Sequence, residues 1–329
     1  MLEHGGQLRA AAQRYGIALA EWIDLSTGIN PQAYPVPAID PECWHRLPED
    51  DDGLEAAAAA YYGNERLLVL AGSSPVTHAL PTLFAPAAAV FLTPVYEAQA
   101  QAWEHASHGL RRLPTLQRAL AAATPVVLLS NPNKLTGATL PQSALLAAAA
   151  ELDRRGGWLI VDESFGDPQP ENCIAALAGS AQAPRLIVLR SLGEFFGLAG
   201  ARVGFIFGAA EKLDALREMT GPWPVAHPSR AVARHALQNT AWQSAAREAL
   251  TENSTRLAEC LAPLGEVSRT GQFCALCTAH GEALFEHFAM RAILTRRVKE
   301  LGMLRFGLPA RDADWQRLER AIAEWEPIA

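Results

Sequence analysis

Six short runs of uninterrupted apolar residues mark the first two thirds of the chain. They are Leu67-Leu68-Val69-Leu70-Ala71, Ala89-Val90-Phe91-Leu92, Val126-Val127-Leu128-Leu129, Trp158-Leu159-Ile160-Val161, Leu186-Ile187-Val188-Leu189 and Val203-Gly204-Phe205-Ile206-Phe207. None alternates apolar with polar positions. Strands of that kind are covered on both faces, as in a parallel α/β sheet. Helix-like segments lie between them. The alanine- and leucine-rich stretch 142–155 ends in Gly156-Gly157, which predicts a helix stop. Asp52-x-x-Glu55 reads as a capping box for a helix over 56–60. The acidic run 49–52 is then a helix start rather than a metal site.

The texture changes after about residue 220, where Gly221-Pro222-Trp223-Pro224 breaks the pattern. Helical stretches over roughly 229–261 follow, then a strand-like segment near 267–279. A further helix, a strand at Leu304-Arg305-Phe306 and an amphipathic helix from Asp312 to Trp325 complete the chain. The pattern predicts a large α/β domain over 41–225, with a mostly parallel central sheet flanked by helices. A smaller α+β domain covers 226–329, and residues 1–40 form an N-terminal segment packing on it.

Composition narrows the class. The chain has 329 residues, half of them hydrophobic, which suits a large core and not a disordered chain. A net charge of −7 and the lack of any Lys/Arg run longer than two disfavour nucleic-acid or membrane-surface partners. The start has no signal-peptide pattern, and the longest apolar stretch, 83–95, holds two prolines. Five scattered cysteines read as reduced thiols, so a cytoplasmic setting is expected. Only three of the 28 basic residues are lysines, namely Lys134, Lys212 and Lys299.

Four loops leave the C-terminal ends of predicted strands, where open α/β sheets place ligands. They are Gly72-Ser73-Ser74, Asn131-Pro132-Asn133-Lys134, Asp162-Glu163-Ser164, and Ser191-Leu192-Gly193-Glu194 with Arg202 beyond it. Small hydroxyl residues beside glycine suit a phosphate, and Arg202 adds a clamp. A carboxylate directly after a buried strand suits a cationic ring nitrogen. Other candidates have simpler readings. Cys274-x-x-Cys277 sits on a predicted strand with its cysteines on opposite faces, which suits core packing rather than zinc. His105 and His108 read as a solvated helix end. Trp22, Trp44, Trp103 and Trp158 read as core or interface residues.

Taken together and in order, these segments resemble a family. The sequence is similar to pyridoxal-phosphate enzymes of the aspartate-aminotransferase fold (fold type I). Within them it resembles the threonine-phosphate decarboxylases of cobalamin biosynthesis, relatives of histidinol-phosphate aminotransferase. The pieces that carry the likeness include His4-Gly5-Gly6, Asp24-Leu25-Ser26-Thr27-Gly28-Ile29-Asn30-Pro31, Tyr61-Tyr62-Gly63, Phe195-Phe196-Gly197-Leu198-Ala199-Gly200 and Arg305-Phe306-Gly307-Leu308-Pro309. The resemblance implies a homodimer acting on a small phosphorylated amino acid with pyridoxal 5′-phosphate. It implies that Asp162 holds the pyridine nitrogen, that Tyr96 stacks on the ring, and that Ser73, Ser74, Ser191 and Arg202 bind the cofactor phosphate. Lys134 falls where the family has an asparagine on the cofactor's 3′-oxygen. Arg305 matches the clamp on the substrate carboxylate, and Arg311 matches a second arginine of the related aminotransferases. Gly5, Gly6, Asn30 and Asn133 fall in segments implied to lie near the substrate.

The likeness breaks at one position. Where the family has the lysine that forms the Schiff base with the cofactor, this chain has Glu194. A glutamate has no amine and forms no imine. Three readings stand: an inactive relative, non-covalent cofactor binding with residual chemistry, or an amine supplied by Lys134. The paired changes also suggest a salt bridge between Lys134 and Glu194. An aminotransferase of the histidinol-phosphate type and a non-catalytic binding protein are the alternative functions.

Overall fold

A computed structural model describes residues 5–326. The chain divides into two units, one comprising Tyr34–Lys134 and Thr139–Ser244, the other Met1–Ala33, Leu135–Ala138 and Ala245–Ala329. The larger unit therefore runs past the break at Gly221-Pro222-Trp223-Pro224.

In the smaller unit the first described element is the helix Leu8–Tyr15, followed by the two-residue strand β1 (Ile23–Asp24). The larger unit then supplies β2 (Leu67–Leu70), β3 (Ala88–Leu92), β4 (Gly109–Leu113), β5 (Val126–Ser130), β6 (Trp158–Asp162), β7 (Leu186–Ser191) and β8 (Gly204–Phe207). They form one sheet in the order β2-β8-β7-β6-β5-β3-β4. All neighbours are parallel except those involving β8, which is antiparallel to both β2 and β7. The six apolar runs are six of these seven strands, so their covering on both faces is real. The seventh strand, β4, has the sequence Gly-Leu-Arg-Arg-Leu and lies at the edge with exposed positions. An edge strand needs little apolar surface, and its two arginines blunt the open edge.

One face of the sheet buries Leu70, Phe91, Leu128, Ile160 and Ile187 against Val76, Trp103 and Leu216 from the flanking helices. Each such side chain contributes about 1.5–3 kcal/mol on burial. The helix Gln142–Arg154 stops before Gly156, which has φ +73°. The helix expected over 56–60 is Leu54–Tyr62, but it carries no side-chain cap. Asp52 Oδ1 accepts the Leu54 N–H at 3.0 Å, while its two oxygens bind Arg230 at 2.7 and 2.8 Å. Asp52 therefore serves the helix start through Leu54 rather than through a capping box, and joins it to an ion pair with Arg230. His108 also departs from expectation. It is buried, with Nε2 3.0 Å from the Pro81 carbonyl, and packs on Trp103. Trp44 is 70% exposed.

In the smaller unit, β9 (Glu266–Arg269) and β10 (Phe273–Cys277) form a hairpin where one strand was expected. The next strands are β11 (Ile293–Leu294), β12 (Arg296–Val298) and β13 (Met303–Gly307). The four-stranded sheet has the order β12-β13-β10-β9, and β1 pairs with β11 in parallel. No helix among the described residues is long and apolar enough to cross a membrane.

The cysteines give a direct check. Cys277 is exposed at the end of β10, whereas burial pushes the Cys173 and Cys274 thiols up to about 12. Mild alkylation of the native protein followed by mass mapping is expected to label Cys277 ahead of Cys173 and Cys274. The last two should react only on unfolding.

Candidate active site

The strand directions bring the candidate residues to one edge. β2, β3, β5, β6 and β7 all run the same way, so the loops after them emerge on the same side. β8 runs oppositely, and the segment before it, with Arg202, returns to that side. Gly204 lies opposite both Leu70 and Ser191. A side chain there would meet the Gly72 backbone at 2.8 Å, so glycine permits the close approach.

Asp162 ends β6 and is 2% exposed. Its Oδ1 accepts from the Ser164 N–H at 3.1 Å and the Ser164 hydroxyl at 2.5 Å. Its Oδ2 accepts from Gln99 Nε2 at 2.6 Å and forms an ion pair with Lys134 Nζ at 2.5 Å. The Lys134 ammonium also lies 5.3 Å from the centre of the Tyr96 ring. Gln99 was not singled out from sequence. Its signal is its position three residues after Tyr96, on the first turn of the helix Glu97–His105.

At the other end of the edge, Arg202 adopts a left-handed conformation with φ 54°. Its guanidinium donates to the Ala199 carbonyl at 2.9 Å and lies against Gly72, where any Cβ would meet it. Ser73 opens a short helix, Ser73–Ala79, and Ser74 is exposed beside it. The Ser191 hydroxyl accepts the Gly193 N–H at 3.2 Å.

Glu194 lies between these ends. The expected Lys134–Glu194 salt bridge is corrected: the ion pair of Lys134 is with Asp162. The Glu194 side chain instead hydrogen-bonds Ser191, and its Oε2 is enclosed without a hydrogen-bond partner. Burial pushes its carboxyl above its ordinary value of 4.5, against opposing effects of Ser191 and Lys134. The native state therefore keeps a proton that the unfolded chain releases as pH rises past that ordinary value. Stability falls as pH climbs through the window between the two values. Glu194→Gln removes this titration. It is expected to melt higher than the parent at about pH 8, with the gap closing near pH 4; a gap independent of pH would contradict the buried neutral carboxyl.

A buried network behind the edge was also missed. Arg190 is 2% exposed and donates to Glu163 Oε2 at 3.1 Å and Asp167 Oδ1 at 2.7 Å. It also reaches Cys173 Sγ at 2.9 Å and stacks on Tyr62. Arg190 and Glu163 adjoin Ser191 and Asp162 in sequence, so the network fixes the ends of β7 and β6. Sequence offered a single sign of it, an arginine directly after an apolar run.

Asn131 and Asn133 brace the loop after β5. Asn131 exchanges two hydrogen bonds with the Leu140 backbone at 2.7 and 3.1 Å, and Asn133 Nδ2 donates to the Pro94 carbonyl at 2.8 Å.

In the smaller unit, Arg305 on β13 is 3% exposed and donates to the Ser26 carbonyl at 3.3 Å. Arg296 on β12 lies directly opposite it. The Gly6 N–H donates to the Ser26 hydroxyl at 2.7 Å, and a Cβ on Gly5 would strike the Ser26 backbone. Asn30 is buried, with Oδ1 accepting from the Gln32 N–H at 2.9 Å. Arg311 is engaged by Asp314 at 2.9 and 3.1 Å at the start of the helix Asp312–Ala323.

Pyridoxal phosphate, the group the resemblance implies, would need a carboxylate for its ring nitrogen, an aromatic face, a phosphate cradle and an amine. Asp162, Tyr96 and the Ser191–Arg202 end match the first three in chemistry. The amine is absent at residue 194, where an enclosed acid stands instead, and Lys134 already holds Asp162 Oδ2. The pocket in this form does not fit a covalently held cofactor.

Comparison with known proteins places these features. Residues 41–309 match the aminotransferase class I and II family. The chain is 47% identical over 325 residues to a threonine-phosphate decarboxylase of Pseudomonas aeruginosa, covering 98% of this chain and 97% of the relative. It is 38% identical to a threonine-phosphate decarboxylase of Sinorhizobium, covering 98% of each. Its fold matches that of histidinol-phosphate aminotransferase from Sinorhizobium meliloti, solved in complex with pyridoxal-5′-phosphate, with a TM-score of 0.81, 18% identity and 98% coverage of both chains.

Proposed function

Because the chain belongs to the aminotransferase class I and II family, we propose that it is a threonine-phosphate decarboxylase scaffold whose turnover is disabled at residue 194. The reaction for which the scaffold is built is decarboxylation of L-threonine O-3-phosphate to (R)-1-amino-2-propanol O-2-phosphate in cobalamin biosynthesis. Its cofactor is pyridoxal 5′-phosphate, which when bound serves as an electron sink for the leaving carboxylate. The protein works as a cytoplasmic homodimer. Identity of 47% and 38% over nearly the full chain with two threonine-phosphate decarboxylases supports the substrate class. The enclosed acid at Glu194 carries the second half of the reading, since neither charge state of a carboxyl supplies an amine.

Incubation with pyridoxal 5′-phosphate and L-threonine O-3-phosphate tests it. Carbon dioxide and amino-alcohol phosphate are expected at background, with no borohydride-trapped cofactor on the chain. Keto-acid formation would favour the aminotransferase alternative. A trapped adduct on Lys134 would show that the amine has moved rather than disappeared. The Lys134–Asp162 pair favours a second reading, a non-catalytic binding protein on the same fold. Calorimetry separates the two: substrate binding that remains tight after turnover is restored at residue 194 belongs to the decarboxylase.

A further inference from the structure

Asp162 and Tyr96 share an occupant that belongs to the chain itself. The Lys134 ammonium sits 2.5 Å from Asp162 Oδ2 and 5.3 Å from the Tyr96 ring centre, with its side chain only 12% exposed. Both contacts are of the kinds a protonated aromatic ring would make: a charge-assisted hydrogen bond to the carboxylate and a cation over an aromatic face. The remaining acceptor capacity of Asp162 is taken by Gln99 and Ser164. A ring N–H arriving at Oδ2 must displace the ammonium and leave it to be solvated elsewhere.

We propose that Lys134 is a built-in occupant of the ring seat, taking on Asp162 the place of a protonated ring nitrogen and thereby setting the affinity of the pocket for a cationic aromatic phosphate. This rests on the reading that the edge is a pyridoxal-phosphate site, and it adds a second obstacle, independent of Glu194. The two obstacles act on different requirements of the cofactor. Glu194 denies covalent attachment, and Lys134 denies the ring its counter-charge. Lys134 stands at the ring end beside Asp162 and Tyr96, whereas Glu194 also touches the phosphate end through its hydrogen bond with Ser191.

The probes are pyridoxal 5′-phosphate and inorganic phosphate, each titrated by equilibrium dialysis. The proteins are the parent, K134N, K134R, E194K and K134N/E194K, all checked for folding by circular dichroism and melting. K134N is expected to bind pyridoxal 5′-phosphate at least about tenfold more tightly than the parent. K134R keeps the cation and should stay weak. Affinity for inorganic phosphate should be the same in the parent, K134N and K134R, and the same in E194K and K134N/E194K, because the phosphate end does not involve Lys134. If K134N folds poorly, K134Q replaces it. Equal affinity of folded K134N and the parent overturns the proposal, as does equal affinity of E194K and the double variant. A different result, no binding and no borohydride trapping by the double variant, would overturn the cofactor-site reading itself.

Discussion

Glu194→Lys is expected to give a protein that borohydride traps with pyridoxal 5′-phosphate at residue 194. It should release carbon dioxide from L-threonine O-3-phosphate on the order of 10²–10⁴-fold faster than the parent, the range by which one positioned acid–base group accelerates a reaction. The substitution replaces an enclosed carboxyl that lacks a hydrogen-bond partner on Oε2 with the amine the site otherwise lacks. Ser191 lies beside it, and Arg202 stands at the start of β8 on the same edge. The new ammonium replaces an acid whose ionisation burial disfavours, and Asp162 lies near enough to stabilise it electrostatically. Peptide mapping after borohydride reduction gives the position of attachment, and product analysis gives the rate. A folded variant with no adduct at residue 194, even with Lys134 also replaced, would mean that the scaffold has lost more than one catalytic position. A full gain from E194K alone would locate the defect entirely at residue 194.

The sheet was legible because its strands are buried on both faces and so leave unbroken apolar runs. β4 escaped because an edge strand is half solvated and carries Arg111 and Arg112 where the others carry valine or leucine. The loop residues were legible for a different reason: parallel strands deliver their C-terminal loops to one edge, and Asp162, Ser191 and Arg202 converge there. Partner choice was not. Sequence put Lys134 with Glu194 because one lysine and one glutamate stood where the family has other residues. The structure pairs Lys134 with Asp162 at 2.5 Å, whereas burial disfavours ionisation of the Glu194 carboxyl and so weakens its hold on a cation. The Asp52 reading held only in part, since its Oδ1 accepts the Leu54 N–H while Arg230 also takes its carboxylate. The local helix start was visible, but not Arg230, which lies 178 residues away in sequence and takes the carboxylate. Long-range charge pairing leaves no periodic signal.

Arg190→Met is expected to cost about 3–5 kcal/mol of stability, the usual loss when one member of a buried charge network is removed. In a chain of this size that is a fall in Tm on the order of 10 °C. The reason lies in what remains. Glu163 and Asp167 are both fully buried, and Arg190 is the cation that reaches both of them. Burial already pushes the Glu163 carboxyl upward, and Arg190 is the leading influence holding it down. Without that guanidinium the Glu163 carboxyl holds its proton more strongly in the native state and releases it on unfolding. The deficit of the variant therefore grows as pH rises above the ordinary carboxylate range. Thermal melts at about pH 5 and pH 8 check the slope. Adding Glu163→Gln and Asp167→Asn to Arg190→Met should recover part of the loss at the higher pH, because no charge is then buried. The damage should also reach the site. Glu163 Oε1 accepts the Ile174 N–H at 2.7 Å while its other oxygen holds Arg190, so losing the arginine frees the residue next to Asp162. Arg190→Met in an Glu194→Lys background should consequently lose turnover beyond what its lower Tm explains, measured well below the melting transition. A loss under about 1 kcal/mol, flat with pH, would show that Tyr62 and the apolar stem carry Arg190's contribution by packing alone.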